Sequence, residues 1–174
     1  MLLALILACA SANSSATPPA PTPEPPPAPE VTTPAPEAQV TAVEYHFQDS
    51  SVPPPSHRSV TIRVSAESAD YVVDSYGDVV AEAHAPSDQA TLDKAIAAYE
   101  AAGFKPTPAS REPGCSGGTS RSVTVEQARL ILFTGTLSRC GGSEKGLEGD
   151  MDGFAKAMKA LAPMPEGLLP QATP

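Results

Sequence analysis

The chain has 174 residues, with 20 acidic against 11 basic side chains, 21 prolines, three cysteines and no tryptophan, for a net charge of −9. A pI near 4.7 removes the electrostatic footprint of a nucleic-acid binder, and no apolar run approaches the roughly 18 residues of a membrane-spanning helix. So much proline does not fit inside one soluble core, so the length divides into an ordinary domain and a long extension.

Residues 1–8 read MLLALILA, apolar throughout, and Cys9 follows at once. A short apolar stretch ending in small residues has the character of a secretory signal rather than of a core helix. Ile6-Leu7-Ala8-Cys9 resembles the lipobox of bacterial lipoproteins. That resemblance covers about nine residues. It implies a signal cut before Cys9, diacylglycerol on the Cys9 thiol and, usually, acylation of the new amino group. The membrane partner would then be the lipid surface itself, since two or three chains anchor stably where one does not. Leu7 is bulkier than the pattern's usual residue and no basic residue precedes Arg58, so the true start is expected upstream. Ala10 after the cysteine is compatible with sorting to the outer membrane of the cell envelope. The competing expectation is cleavage after Ala10-Ser11-Ala12, which would release a soluble secreted protein.

Residues 10–38 hold ten of the prolines, one branched aliphatic residue (Val31) and no aromatic side chain. Such a segment cannot bury enough apolar surface to offset its ordering entropy. It is expected to be a semi-rigid, polyproline-like tether with a reach on the order of 90 Å at about 3.1 Å per residue. The organisation expected is therefore a signal over 1–8, the lipidation site and tether over 9–38, one domain over 39–163, and a loose tail over 164–174.

Within the domain, Val43, Tyr45 and Phe47 alternate with polar residues, as do Val60, Ile62 and Val64, the period of strands with one buried face. Pro53-Pro54-Pro55 cannot join a ladder, so residues 49–59 read as the long loop of a hairpin. Tyr71-Val72-Val73 and Val79-Val80-Ala81 flank Ser75-Tyr76-Gly77-Asp78, a tight turn with Gly77 at positive φ. Ser87 is the expected N-cap of a helix carrying Leu92, Ala95, Ile96 and Tyr99 on one face and stopped by Gly103. Two strands follow, near 122–125 and 129–136, and a last helix from about Asp152 to Leu161 buries Met151, Phe154, Met158 and Leu161. The order ββββαββα predicts an α+β fold: an antiparallel sheet of about six strands with both helices on one face.

With Cys9 assigned to lipid, Cys115 and Cys140 remain, in an oxidising compartment. If Glu126 to Arg129 make the turn, opposed residues sum to 255, which pairs Val125 with Leu130 and Cys115 with Cys140. A structural disulfide worth roughly 3–4 kcal/mol in the chain-entropy picture is expected across the open end of that hairpin. A spacing of 25 with no Cys-x-x-Cys and no neighbouring histidine does not suit zinc.

Candidate chemistry is sparse. The glycine-rich stretches at 114–118 and 140–142 match no phosphate-binding fingerprint. Glu148, Asp150 and Asp152 before Gly153 imitate half an EF-hand loop, but Lys159 stands where the closing glutamate belongs, and helix capping explains the acids. His46, His57 and His84 with Asp74 or Asp78 would serve a hydrolase or metal-dependent enzyme only by converging in one cleft. No serine elbow accompanies Ser116, Ser120 or Ser122. The loop bearing His57 and Arg58, together with Tyr76 and Asp78 of the next turn, is the candidate binding surface, suited to an anionic group or an envelope protein partner. Segments such as Ser51-Val-Pro-Pro-Pro-Ser-His-Arg-Ser are similar to stretches of small exported bacterial proteins without assigned activity, and that likeness carries no site residue over. No cofactor, metal or catalytic residue is expected. The reading is a membrane-anchored envelope lipoprotein with a non-catalytic binding or structural domain.

Overall fold

The computed structural model describes residues 39–107 and 117–166, all within the compact unit Pro36–Pro174. Cys9, the signal, the proline-rich segment, Cys115 and most of the tail lie outside the described residues. The architecture is α+β, with a seven-stranded antiparallel sheet and two helices. No helix of the described residues is long and apolar enough to cross a membrane.

The strands are β1 (Ala42–Gln48), β2 (Ser59–Ser65), β3 (Ser68–Ser75), β4 (Asp78–Pro86), β5 (Lys105–Pro106), β6 (Thr119–Gln127), β7 (Leu130–Cys140), β8 (Ser143–Lys145) and β9 (Leu147–Glu148). The main sheet runs β4-β3-β2-β1-β6-β7-β8, and β5 pairs with β9 in a separate ribbon. The sheet thus exceeds the expected six strands by the short β8. β5 and β9 were also absent from the expected order, since two or three residues carry no legible period.

Alternation places the core on one face. Val43 and Tyr45 of β1 lie level with Val64 and Ile62 of β2 and with Val125 and Val123 of β6. Ile62 in turn faces Tyr71 of β3. These seven side chains are buried. The helices α1 (Gln89–Ala102) and α2 (Met151–Leu161) cover that face: α1 packs on β1 and β2, α2 on β2, and the helices pack on each other. Leu92 and Ala95 of α1 and Met151, Phe154 and Met158 of α2 fill the core. Phe154 meets Tyr45 and Phe104 edge-on, at centroid distances of 6.2 and 5.4 Å, the geometry that ring quadrupoles favour. Leu161 is only half-buried, whereas Pro165, two residues beyond the expected end of the domain, is buried.

Three local expectations need correction. The N-cap of α1 is Asp88, not Ser87: Asp88 is extended, and its carboxylate accepts from the Thr91 N–H at 2.8 Å. Gly103 ends the helix in the left-handed region as expected, at φ 62°. The β6–β7 hairpin turns on two residues, Ala128 and Arg129, both at positive φ (45° and 74°). That primed-turn geometry is usually reserved for Asn and Gly, so the sequence did not announce it. The register follows: Gln127 pairs with Leu130, a bulge intervenes at Val125/Glu126, and Val125 then faces Phe133 rather than Leu130. Val123 faces Gly135, not Leu132, and Thr119 faces Arg139.

The other face of the sheet is polar. Arg63 of β2 reaches over β1 to form a two-pronged ion pair with Glu126 of β6, both contacts at 2.7 Å, and approaches Glu44 at 3.6 Å. The pairing with Glu126 raises Arg63 and, with the electrostatic pull of the guanidinium, lowers the Glu126 carboxyl below its ordinary range against the opposing effect of burial. Both side chains are partly solvated, so the pair belongs among surface salt bridges, worth roughly 0.2–1 kcal/mol.

Candidate functional site

Residues 49–58 join β1 to β2 at one end of the sheet, where β3 turns into β4. The turn is built from Tyr76 and Gly77, at φ 56° and 92°. Gly77 adopts the positive φ expected of it, and its N–H donates to Asp74 Oδ1 at 2.9 Å. Tyr76 pays the steric cost of the left-handed region without being glycine, and its side chain shows what holds it there.

The Tyr76 ring stacks on the His57 imidazole, with centroids 3.9 Å apart and planes at 21°. Its hydroxyl donates to the Val52 carbonyl at 2.5 Å. The Tyr76 N–H donates to His57 Nδ1 at 3.3 Å. Since Nδ1 accepts, a neutral imidazole carries its proton on Nε2 and donates it to the Ser59 hydroxyl at 3.4 Å, with the Gln48 side chain adjacent. Ser75 adds a bond from its hydroxyl to the Pro54 carbonyl at 2.8 Å. Proline removes three donors from this loop, and the side chains of the neighbouring turn satisfy carbonyls that a ladder would otherwise occupy.

Asp49 closes the loop at its base. Its carboxylate accepts the Arg58 N–H at 2.9 Å and the Ser50 N–H at 2.7 Å. Burial pushes the Asp49 carboxyl up, but these two backbone donors and the nearby His57 outweigh it, so the group titrates below the ordinary carboxylate range.

Of the expected binding residues, His57 is 0% exposed. It cannot present an imidazole to a ligand; it is the internal strut of the loop. Arg58 is half-buried and spends one guanidinium nitrogen on the His57 carbonyl at 2.5 Å. Tyr76 and Asp78 are exposed. Val79 and Val80, which the sequence marks only as strand residues flanking the turn, are largely solvent-exposed on the edge strand beside Tyr76. With the exposed Pro53, Pro54 and Pro55 they give this end of the sheet an apolar, aromatic and proline surface on a braced backbone.

The three histidines do not converge. His46 on the open face of β1 bonds Thr61 through Nδ1 at 2.9 Å, and Gln48 lies between it and His57. His84 sits on β4, three strands from β1, where Asp70 holds its Nδ1 at 2.9 Å and Glu82 its Nε2 at 3.4 Å. The hydrogen bond to Asp70, then that to Glu82, raises the His84 pKa above its ordinary value. Among the described residues no group of three or more His, Cys, Asp and Glu side chains is placed to hold a metal ion. In the acidic stretch before α2, Asp150 caps the helix, accepting from Gly153 at 2.8 Å, and Asp152 pairs with Arg121. Cys140 closes β7, while Cys115 lies outside the described residues. No protein-family model, no curated protein and no solved structure matches this chain.

Proposed function

We propose that the chain is a bacterial envelope lipoprotein, anchored through acylated Cys9, whose single domain is a non-catalytic binding module. In this reading the proline-rich segment spaces the domain from the membrane, a Cys115–Cys140 disulfide staples it, and the outer membrane is its site. The binding surface is the 49–58 loop with the β3–β4 turn. One observation carries the module reading: the loop backbone is fixed from inside by His57, Asp49 and Ser75, while Tyr76, Val79 and Val80 remain outside. A rigid apolar surface loses little conformational entropy on binding, which is the requirement for recognising an extended or apolar protein segment.

The test places a photo-crosslinking amino acid at Val80, and in a second variant at Lys94 on the exposed side of α1, in cells carrying the native upstream sequence. A discrete adduct from Val80 and none from Lys94 supports the reading. Equal labelling from both positions, or none from either, counts against it. Non-reducing mass analysis of alkylated protein checks the disulfide separately, since a Cys115–Cys140 bridge leaves neither thiol to alkylate.

A further inference from the structure

At the opposite end of the sheet the β6–β7 hairpin ends in Leu130, Ile131 and Leu132, which are 67%, 64% and 50% exposed. Ile131 and its neighbours make the β7 side of the tip aliphatic, opposite the polar Glu126 and Gln127 of β6. Such a run on a solvated strand end is unusual, since sheets commonly blunt exposed ends with charge or proline. Arg129 stands at the turn itself and is joined to no carboxylate by an ion pair among the described residues. Behind the tip lies a cleft of about 510 Å³ that includes Thr41, Arg63, Glu126 and Arg129.

The described chain begins beside this tip. The Thr41 N–H donates to the Glu126 carbonyl at 2.8 Å, and the Ala128 N–H donates to Thr41 Oγ1 at 3.2 Å. Whatever precedes residue 39 therefore joins the domain beside the tip of the aliphatic hairpin. Twenty-nine residues, 10–38, separate that point from Cys9.

We infer that the β6–β7 tip is a second, shallow contact with the lipid surface: Leu130, Ile131 and Leu132 enter the headgroup–acyl boundary, and Arg129 meets lipid phosphate. This rests on the lipoprotein reading, because the tether supplies the high effective concentration of membrane that three aliphatic side chains alone do not. Net charge of −9 opposes any purely electrostatic attraction to an anionic surface, so apolar burial drives the contact and added salt leaves it in place. The domain would then sit with the Tyr76 end pointing away from the bilayer, free for a partner.

The absence of tryptophan supplies a clean probe. The full chain is expressed with its native upstream sequence as Ile131→Trp or, at the far end of the sheet, Val80→Trp. Each is reconstituted in vesicles of phosphatidylethanolamine and phosphatidylglycerol, with or without bromine on the acyl chains. The expected result is a blue-shifted emission from position 131 that brominated lipid quenches about twofold or more, with position 80 unaffected and the contrast kept in high salt. Leu130→Ser with Leu132→Ser should abolish the quenching while leaving the far-UV spectrum intact. Equal quenching at both positions, none at 131, or a blue shift that needs only higher protein concentration and no vesicles overturns the proposal. Acylation is read separately by intact mass and the quenching contrast on whichever form the mass reveals, so the anchor and the tip fail independently.

Discussion

Replacing His57 by alanine should destabilise the domain although the residue lies in a connecting loop. The ring is fully buried, stacked on Tyr76, and is the acceptor for the Tyr76 N–H. Losing one such hydrogen bond costs about 1 kcal/mol, and the stacking contact adds roughly 0.5–1.5 kcal/mol. The void adds less than the 3–5 kcal/mol of a core Phe→Ala change, because the proline loop can partly collapse. The sum is about 2–4 kcal/mol, which lowers a urea midpoint by roughly 1–2 M for a domain of this size. Arg58→Ala removes only a bond to its own neighbour's carbonyl and should stay within about 0.5 kcal/mol of the parent. His57→Phe keeps the stack and loses the acceptor, so it should fall between them. Urea unfolding followed by far-UV circular dichroism measures all three. A His57→Ala variant as stable as Arg58→Ala would refute the strut and return the imidazole to the list of ligand-binding groups.

Other consequences can be checked in the same protein. Asp88→Ala should lower the thermal midpoint by removing the α1 cap, whereas Ser87→Ala should leave it unchanged or raise it, because the buried Ser87 hydroxyl has no partner; calorimetry on the two variants decides between Asp88 and Ser87 as the cap. Asp49 and Glu126 titrate below the ordinary carboxylate range, so the stability they add is present above pH ~4 and is lost as pH falls through their folded values. Acid unfolding should accordingly flatten in Asp49→Asn and Glu126→Gln. His84 shifts the opposite way: its contribution is present below pH ~6.5 and fades as pH rises through the raised folded value. An NMR titration should place the His84 midpoint above the ordinary value, and Asp70→Asn should bring it down.

The parts of the fold that were legible were those written in local periods. β1 and β2 declare themselves by alternation, the Tyr76-Gly77 turn by its glycine, and α1 by Leu92, Ala95 and the stop at Gly103. What escaped was set by partners far along the chain or by backbone that the side chains do not advertise. Ala128 and Arg129 take the left-handed conformation without being glycine or asparagine, and that one turn shifts the whole β6–β7 register. The stacking of His57 on Tyr76 joins residues 19 apart, so nothing in the loop sequence separated a buried strut from an exposed ligand. Val79, Val80 and Leu130–Leu132 carry strand-like sequences whose exposure depends on how far the helices extend over the sheet. Binding surfaces of this kind are defined by what the core leaves uncovered, which a linear pattern does not record.

The measurement that bears most directly on the whole account is the intact mass of the mature protein from the membrane fraction of a bacterial host, expressed with its native upstream sequence. The account predicts a chain beginning at Cys9 and carrying two or three acyl chains. A soluble, unmodified species beginning at Asn13 would contradict it, and the anchor and the tether's role would fall together.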